Sequence, residues 1–129
     1  MKKLFTQRKE FSKAFNINSR GTIGIIPDES FVLEYEMLKE ELDEYYDACM
    51  AEDVVEIVDA IGDMLYLIIG TATKHGISHH TLQKVMDEIH RSNMSKLHDG
   101  KVVKDENGKV SKPSTFSKPD LKGVLGSHI

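Results

Sequence analysis

Two groups of carboxylates have the residue types and spacing to do chemistry: Glu40-Glu41-Leu42-Asp43-Glu44, and then Glu56-x-x-Asp59 followed by Asp63. Glu41 and Glu44 are one helical turn apart and project from neighbouring positions. At about 100° per residue, Asp59 falls about 60° and Asp63 about 20° around a helix axis from Glu56, so the three line one narrow strip. The rest of that circumference is mostly Val, Ile, Leu, Ala and Met. Carboxylates on the edge of an otherwise apolar helix are costly unless something neutralises them. Residues 40–73 hold no lysine or arginine that could do so. Taken alone, Glu41 and Glu44 also fit a solvated acidic face; the strip on the second helix favours a hard cation as counter-charge. Mg²⁺ takes oxygen ligands in octahedral geometry at about 2.1 Å and keeps water or phosphate in its shell.

These side chains must be positioned by helices. Leu4, Phe5, Phe11, Ala14 and Phe15 predict a short amphipathic helix over 2–15, and the Gly, Asn and Pro of 16–27 predict a loop. Pro27-Asp28 is a start signal, with Asp28 or Ser30 as N-cap. Phe31, Tyr35, Leu38, Leu42, Tyr45 and Cys49 then form one apolar stripe of a long helix. Residues 53–74 predict a second long helix, apolar on most of its circumference and ended by His75-Gly76, which belongs at the centre of a bundle or in an oligomer interface. A short connection around Ala51 would make the two antiparallel and set Glu41/Glu44 opposite Glu56/Asp59. A further helix is expected over 79–93, with Leu82, Val85, Met86 and Ile89 inward. Lys101-Val102-Val103 and Lys109-Val110 predict a small β-hairpin with an Asn107-Gly108 turn, and Pro113, Pro119 and Gly123 make the remainder extended or irregular. The expectation is an all-α bundle of four to five helices in a single domain, 1–129, with a helical core over about 2–94 and a hairpin and extended tail over about 95–129.

Composition narrows the function. The net charge is −4, which excludes a strongly basic nucleic-acid binder, and no nucleic-acid partner is expected. The charge is segregated: residues 28–63 hold 14 of the 21 acids and one base, Lys39, leaving a basic remainder. A single cysteine excludes an intrachain disulfide and a cysteine zinc cluster; on the apolar stripe with Tyr45, it is expected to be a buried structural thiol. The N-terminus lacks a signal-peptide run. The longest mostly apolar run, 64–72, is about half of a membrane span. A cytoplasmic protein with no membrane partner is expected. His79-His80 point about 100° apart and chelate poorly, so a surface or capping role is expected of them. Tyr66 continues the Glu56–Asp59–Asp63 strip and is placed either at the border of a pocket or in the core. Glu34, Glu36 and Asp47 are assigned to a solvated face. The apolar loop 22–26 is expected to pack on something, and the second long helix needs more cover than this chain supplies, so at least a dimer is expected.

Glu41-x-x-Glu44 and Glu56-x-x-Asp59 together resemble the paired acidic motif of the all-α nucleoside triphosphate pyrophosphohydrolases, the superfamily of MazG-like, dimeric dUTPase-like and phosphoribosyl-ATP pyrophosphohydrolase-like enzymes. Asp59-Ala60-Ile61-Gly62-Asp63-Met64-Leu65-Tyr66, Gly70-Thr71-Ala72 and His75-Gly76-Ile77 are similar to the phosphoribosyl-ATP pyrophosphohydrolase branch. So are His90-Arg91-Ser92-Asn93-Met94-Ser95-Lys96, Gly108-Lys109-Val110, Lys112-Pro113 and Pro119-Asp120-Leu121 in the tail. The resemblance implies a homodimeric or homotetrameric helical bundle that uses Mg²⁺, with Mn²⁺ as a substitute, to split a nucleotide between its α- and β-phosphates. The products would be a nucleoside monophosphate and pyrophosphate. Glu41, Glu44, Glu56 and Asp59 match the metal ligands, and Glu40 matches the extra glutamate that orients or activates the attacking water beside Glu41. Some members align so that Asp63 takes the aspartate position; their glutamate would then fall on Ala60, which cannot ligate, so Asp63 stays an additional ligand. Arg91, Lys96 and Lys112 are candidates for phosphate oxygens and Asn93 for a phosphate or sugar group. Two alternatives accompany this reading: the same scaffold acting on phosphoribosyl-ATP, and a non-catalytic module that binds nucleotide or metal.

Overall fold

The structure, a computed structural model, describes residues 1–129 and contains five α-helices: α1 (Lys2–Ala14), α2 (Asp28–Met50), α3 (Val54–Lys74), α4 (His79–Met94) and α5 (Leu121–Leu125), which runs into a 3-10 turn at Gly126–His128. The chain divides into two compact units, Met1–His79 and His80–Ile129.

In the first unit α3 packs against both α2 and α1. The reversal between α2 and α3 takes three residues. Asp53 N–H donates to Ala48 O and Glu52 N–H to Cys49 O, the paired closure of a Schellman motif, with Glu52 in the left-handed region at φ 55°. Asp53 then caps α3 by accepting from Glu56 N–H at 3.1 Å. At the start of α2 neither Asp28 nor Ser30 is the cap. Pro27 is, without a side-chain bond, and Asp28 and Glu29 lie in the first turn, where their charge suits the helix dipole.

The helix pair meets along a different face of α2 than its apolar stripe suggests. Glu34 and Ala48 are buried and Met37, Leu38 and Glu41 half-buried, whereas Phe31, Tyr35, Leu42 and Tyr45 are exposed. Apart from Leu38, the stripe faces away from α3. Cys49 goes with it and is exposed, which corrects the expectation of a buried thiol. Glu34, expected on a solvated face, is 5% exposed. It pairs with Lys74 at the end of α3 and accepts from the Thr71 hydroxyl at 2.8 Å. Lys74 lies one residue beyond the lysine-free stretch and supplies the counter-charge.

α1 contributes Phe5, 1% exposed, beside Ile69 and Ala72 of α3 in the core. α3 ends in a second Schellman motif, with Gly76 at φ 79° and Ile77 N–H donating to Ala72 O. A Cβ at Gly76 would collide with Thr22 O, because the loop after α1 is laid over this helix end. Arg20 N–H donates to Lys74 O and Gly24 N–H to His75 O, and His75 Nδ1 donates to Gly24 O at 2.8 Å. These bonds satisfy carbonyls that a helix terminus leaves free. The apolar loop therefore packs on its own chain through buried Ile26, while Ile25 stays exposed.

In the second unit, Glu88 and Arg91 of α4 form a bidentate pair at 2.8–2.9 Å. Glu88 also accepts from Asp120 N–H, and Arg91 donates to Lys118 O. This holds the tail in place. The expected hairpin is reduced to its turn: Asp105 Oδ1 accepts from Asn107 N–H and Lys109 N–H, and one antiparallel bridge joins Lys104 to Val110. α5 was not expected in a segment read as irregular; Asp120 caps it through Gly123 N–H at 2.9 Å. No helix is long and apolar enough to cross a membrane.

Candidate active site

The face that α2 turns towards α3 carries Glu41 one heptad after Glu34. Glu41 Oε2 is buried and has no hydrogen-bond partner. Burial, then a hydrogen bond with Glu44, then the negative charges of Glu44, Asp63 and Asp59 hold the Glu41 carboxyl up at about 7. Asp63, an exposed residue, is raised in the same direction, by partial desolvation first, then Asp59, then Glu44. The two helices thus bring Glu41, Glu44, Asp59 and Asp63 within electrostatic reach of one another, two residues from each helix. Asp59 and Asp63 are a turn apart, as are Glu41 and Glu44.

A cleft of about 300 Å³ opens beside them, lined by Glu40, Glu41, Asp63, Tyr66, Met37 and Leu67. Tyr66 and Asp63 border it, and Glu40, exposed, sits at its wall. Glu56 is exposed in the first turn of α3 and does not line this cleft. No three carboxylate, histidine or cysteine side chains converge closely enough in this arrangement to hold a metal ion. The donor set is nonetheless one of hard oxygens under mutual repulsion, with a buried Glu41 oxygen that lacks a partner, and its chemistry suits a divalent cation.

The tail candidates all belong to the second unit. Arg91 is engaged by Glu88, which it holds at about 2, well below the usual carboxylate range, with help from Asp120 N–H. Asn93 is exposed in the last turn of α4. Lys96 and Lys112, distant in sequence, are brought to one ring: their ammonium groups lie 6.0 and 5.3 Å from the centroid of Phe116. Phe116 itself escaped sequence reasoning because a lone aromatic in an irregular segment has no periodicity to mark it. Arg8 escaped it too, as one of several bases on a short surface helix; only packing shows it to be buried.

A helical hairpin that gathers carboxylates from both arms beside one cleft, Glu41 and Glu44 with Asp59 and Asp63, has the arrangement of the all-α nucleotide pyrophosphohydrolases. The family model for phosphoribosyl-ATP pyrophosphohydrolase matches residues 8–93, two thirds of the chain, and the chain belongs to that family, within the MazG-like all-α superfamily. The associated activity is hydrolysis of a phosphoric anhydride. The match takes in all of α2 and α3, and the tail beyond Asn93 lies outside it. No curated protein matches the chain significantly.

Proposed function

We propose that this chain is a Mg²⁺-dependent pyrophosphohydrolase that cleaves a (deoxy)nucleoside triphosphate between its α- and β-phosphates, releasing a nucleoside monophosphate and pyrophosphate. The observation that carries this is the buried, unpartnered Glu41 oxygen in a cleft shared with Glu40, Asp63 and Tyr66. Glu41, Glu44, Glu56 and Asp59, with Asp63, are the residues that would hold Mg²⁺, or Mn²⁺ in its place. Bound there, the ion would polarise phosphoryl oxygens and acidify a water. Glu40 at the cleft wall orients the attacking water and accepts its proton, and Glu41 assists it. Tyr66 borders the bound nucleotide. In the second unit, Arg91, Lys96 and Lys112 are the candidates for phosphate oxygens and Asn93 for a phosphate or sugar oxygen. The working form is a homodimer or homotetramer in the cytoplasm.

The family match favours a second reading equally, in which the substrate is phosphoribosyl-ATP. Phosphate release measured after added pyrophosphatase, over a panel of nucleotides that includes phosphoribosyl-ATP, with and without Mg²⁺, separates the two. Turnover of ordinary or modified triphosphates supports the first reading, and turnover of phosphoribosyl-ATP alone supports the second. Nucleotide binding without turnover would instead indicate a non-catalytic module. Glu44→Ala and Glu56→Ala are expected to abolish hydrolysis with the circular-dichroism spectrum intact. Wild-type turnover in both variants would refute the ligand assignment.

A further inference from the structure

Arg8 of α1 is 5% exposed, yet its Nε and Nη1 are buried with no hydrogen-bond acceptor. Its guanidinium carbon stands 4.7 Å from the centroid of Phe11 and 4.9 Å from that of Tyr66, two rings that meet edge to face at 88°. The group lies against α3 at Gly70, where a Cβ would collide with it. No carboxylate is within ion-pair reach. The aromatic rings address the faces of the guanidinium, but its Nε–H and Nη1–H groups find no acceptor in this unit. A buried cation held in place with two of its three nitrogens unpartnered is arranged for an anion that comes from outside.

Arg8 also lines a cavity of about 160 Å³ with Leu4, Gln7, Gly62 and Leu65, and Tyr66 is common to this cavity and to the acidic cleft. A cavity of about 150 Å³ accepts a benzene-sized molecule, so this one has room for a phosphate group. Its largely apolar walls strengthen any charge interaction inside it. Between residues 28 and 73 the only base is Lys39, so α1 supplies a positive group that the α2–α3 hairpin lacks.

We propose that Arg8 is a substrate-binding residue whose N–H edge takes the non-bridging oxygens of a phosphate in a nucleoside di- or triphosphate; the nucleotide part of this rests on the pyrophosphohydrolase reading. The planar guanidinium fork matches two such oxygens at once, which an ammonium does not.

The test compares wild type with Arg8→Met, Arg8→Lys and Gly70→Ala. Met keeps apolar bulk between the rings, and an alanine at 70 displaces the guanidinium while leaving Arg8 in the chain. Arg8→Met is expected to raise KM for the nucleotide about tenfold or more with kcat changed less than about threefold. It should weaken pyrophosphate binding in calorimetry by a similar factor. Gly70→Ala should reproduce both effects, and Arg8→Lys should restore them only in part. The thermal midpoint of the ligand-free Arg8→Met protein should hold or rise, because an unsatisfied buried cation is gone. Unchanged KM and pyrophosphate affinity would overturn the proposal. A lower midpoint with unchanged KM would assign Arg8 to a structural clamp and also overturn it. So would loss of self-association in light scattering with unchanged KM, which would give Arg8 a carboxylate from a second copy. If wild type turns over no nucleotide, the activity reading fails, but the pyrophosphate titration still decides. Binding by wild type that Arg8→Met loses supports the anion site; equal or absent binding refutes it.

Discussion

Glu41 is a carboxyl group that the fold keeps from ionising easily. Its pKa stands near 7 in the folded protein against 4.5 for an ordinary glutamate, so the folded state keeps a proton that the unfolded chain has released. Between those values stability must therefore fall as pH rises, with the full penalty reached above about 7. Asp63 shifts in the same direction. Glu88, held at about 2, works oppositely: its contribution is complete above about 4.5 and is lost as pH falls from there towards 2. In a chelator, the thermal midpoint is expected to decline from about pH 5 to pH 8, and Glu41→Gln should flatten that decline. A midpoint that rises over this window would contradict the crowding of carboxylates. A protein that is least relaxed at neutral pH without a cation is one in which a cation has something to relieve.

At the scale of the element, α2 explains why Glu34 and Glu41 face inward. Its apolar stripe and its packing face are different sides of one helix, and Glu34, Glu41 and Ala48 recur at seven-residue steps on the side that meets α3. Glu34 anchors that register through Lys74 and Thr71. Lys74→Met would strand the Glu34 charge, 4% exposed as a side chain, and is expected to cost about 3 kcal/mol in denaturant unfolding. Adding Glu34→Gln to it should recover most of the loss. A single variant as stable as wild type would mean that the pair does not set the register. The apolar periodicity of α2 was legible in the sequence, but its role was not: amphipathicity locates a sticky face without saying which partner covers it.

For the whole molecule, that uncovered face is the main physical problem. Phe31, Tyr35 and Leu42 of α2 and Val54, Val55, Val58 and Ile61 of α3 are each at least 44% exposed in the single chain. A monomer rarely leaves so many large apolar side chains in water. Self-association through α2 and α3 is expected, and light scattering at micromolar concentration should report at least a dimer. Tyr35→Glu together with Leu42→Glu should shift it towards monomer, and a monomeric wild type would refute the expectation.

The positions of the four long helices, the His75-Gly76 stop and the acidic spacing were determined by sequence alone, because each depends on residues within a turn or two of one another. The same locality made Asp120 and α5 easy to miss, since five residues around a glycine carry no periodic signal. Tertiary structure decided the rest. It buried Glu34, exposed Cys49, set Asp63 and Tyr66 beside Glu41, and sealed Arg8 between two rings with its Nε and Nη1 unpartnered. Burial and partnership depend on which helix faces meet, and that is a property of the packed chain rather than of any local stretch of it.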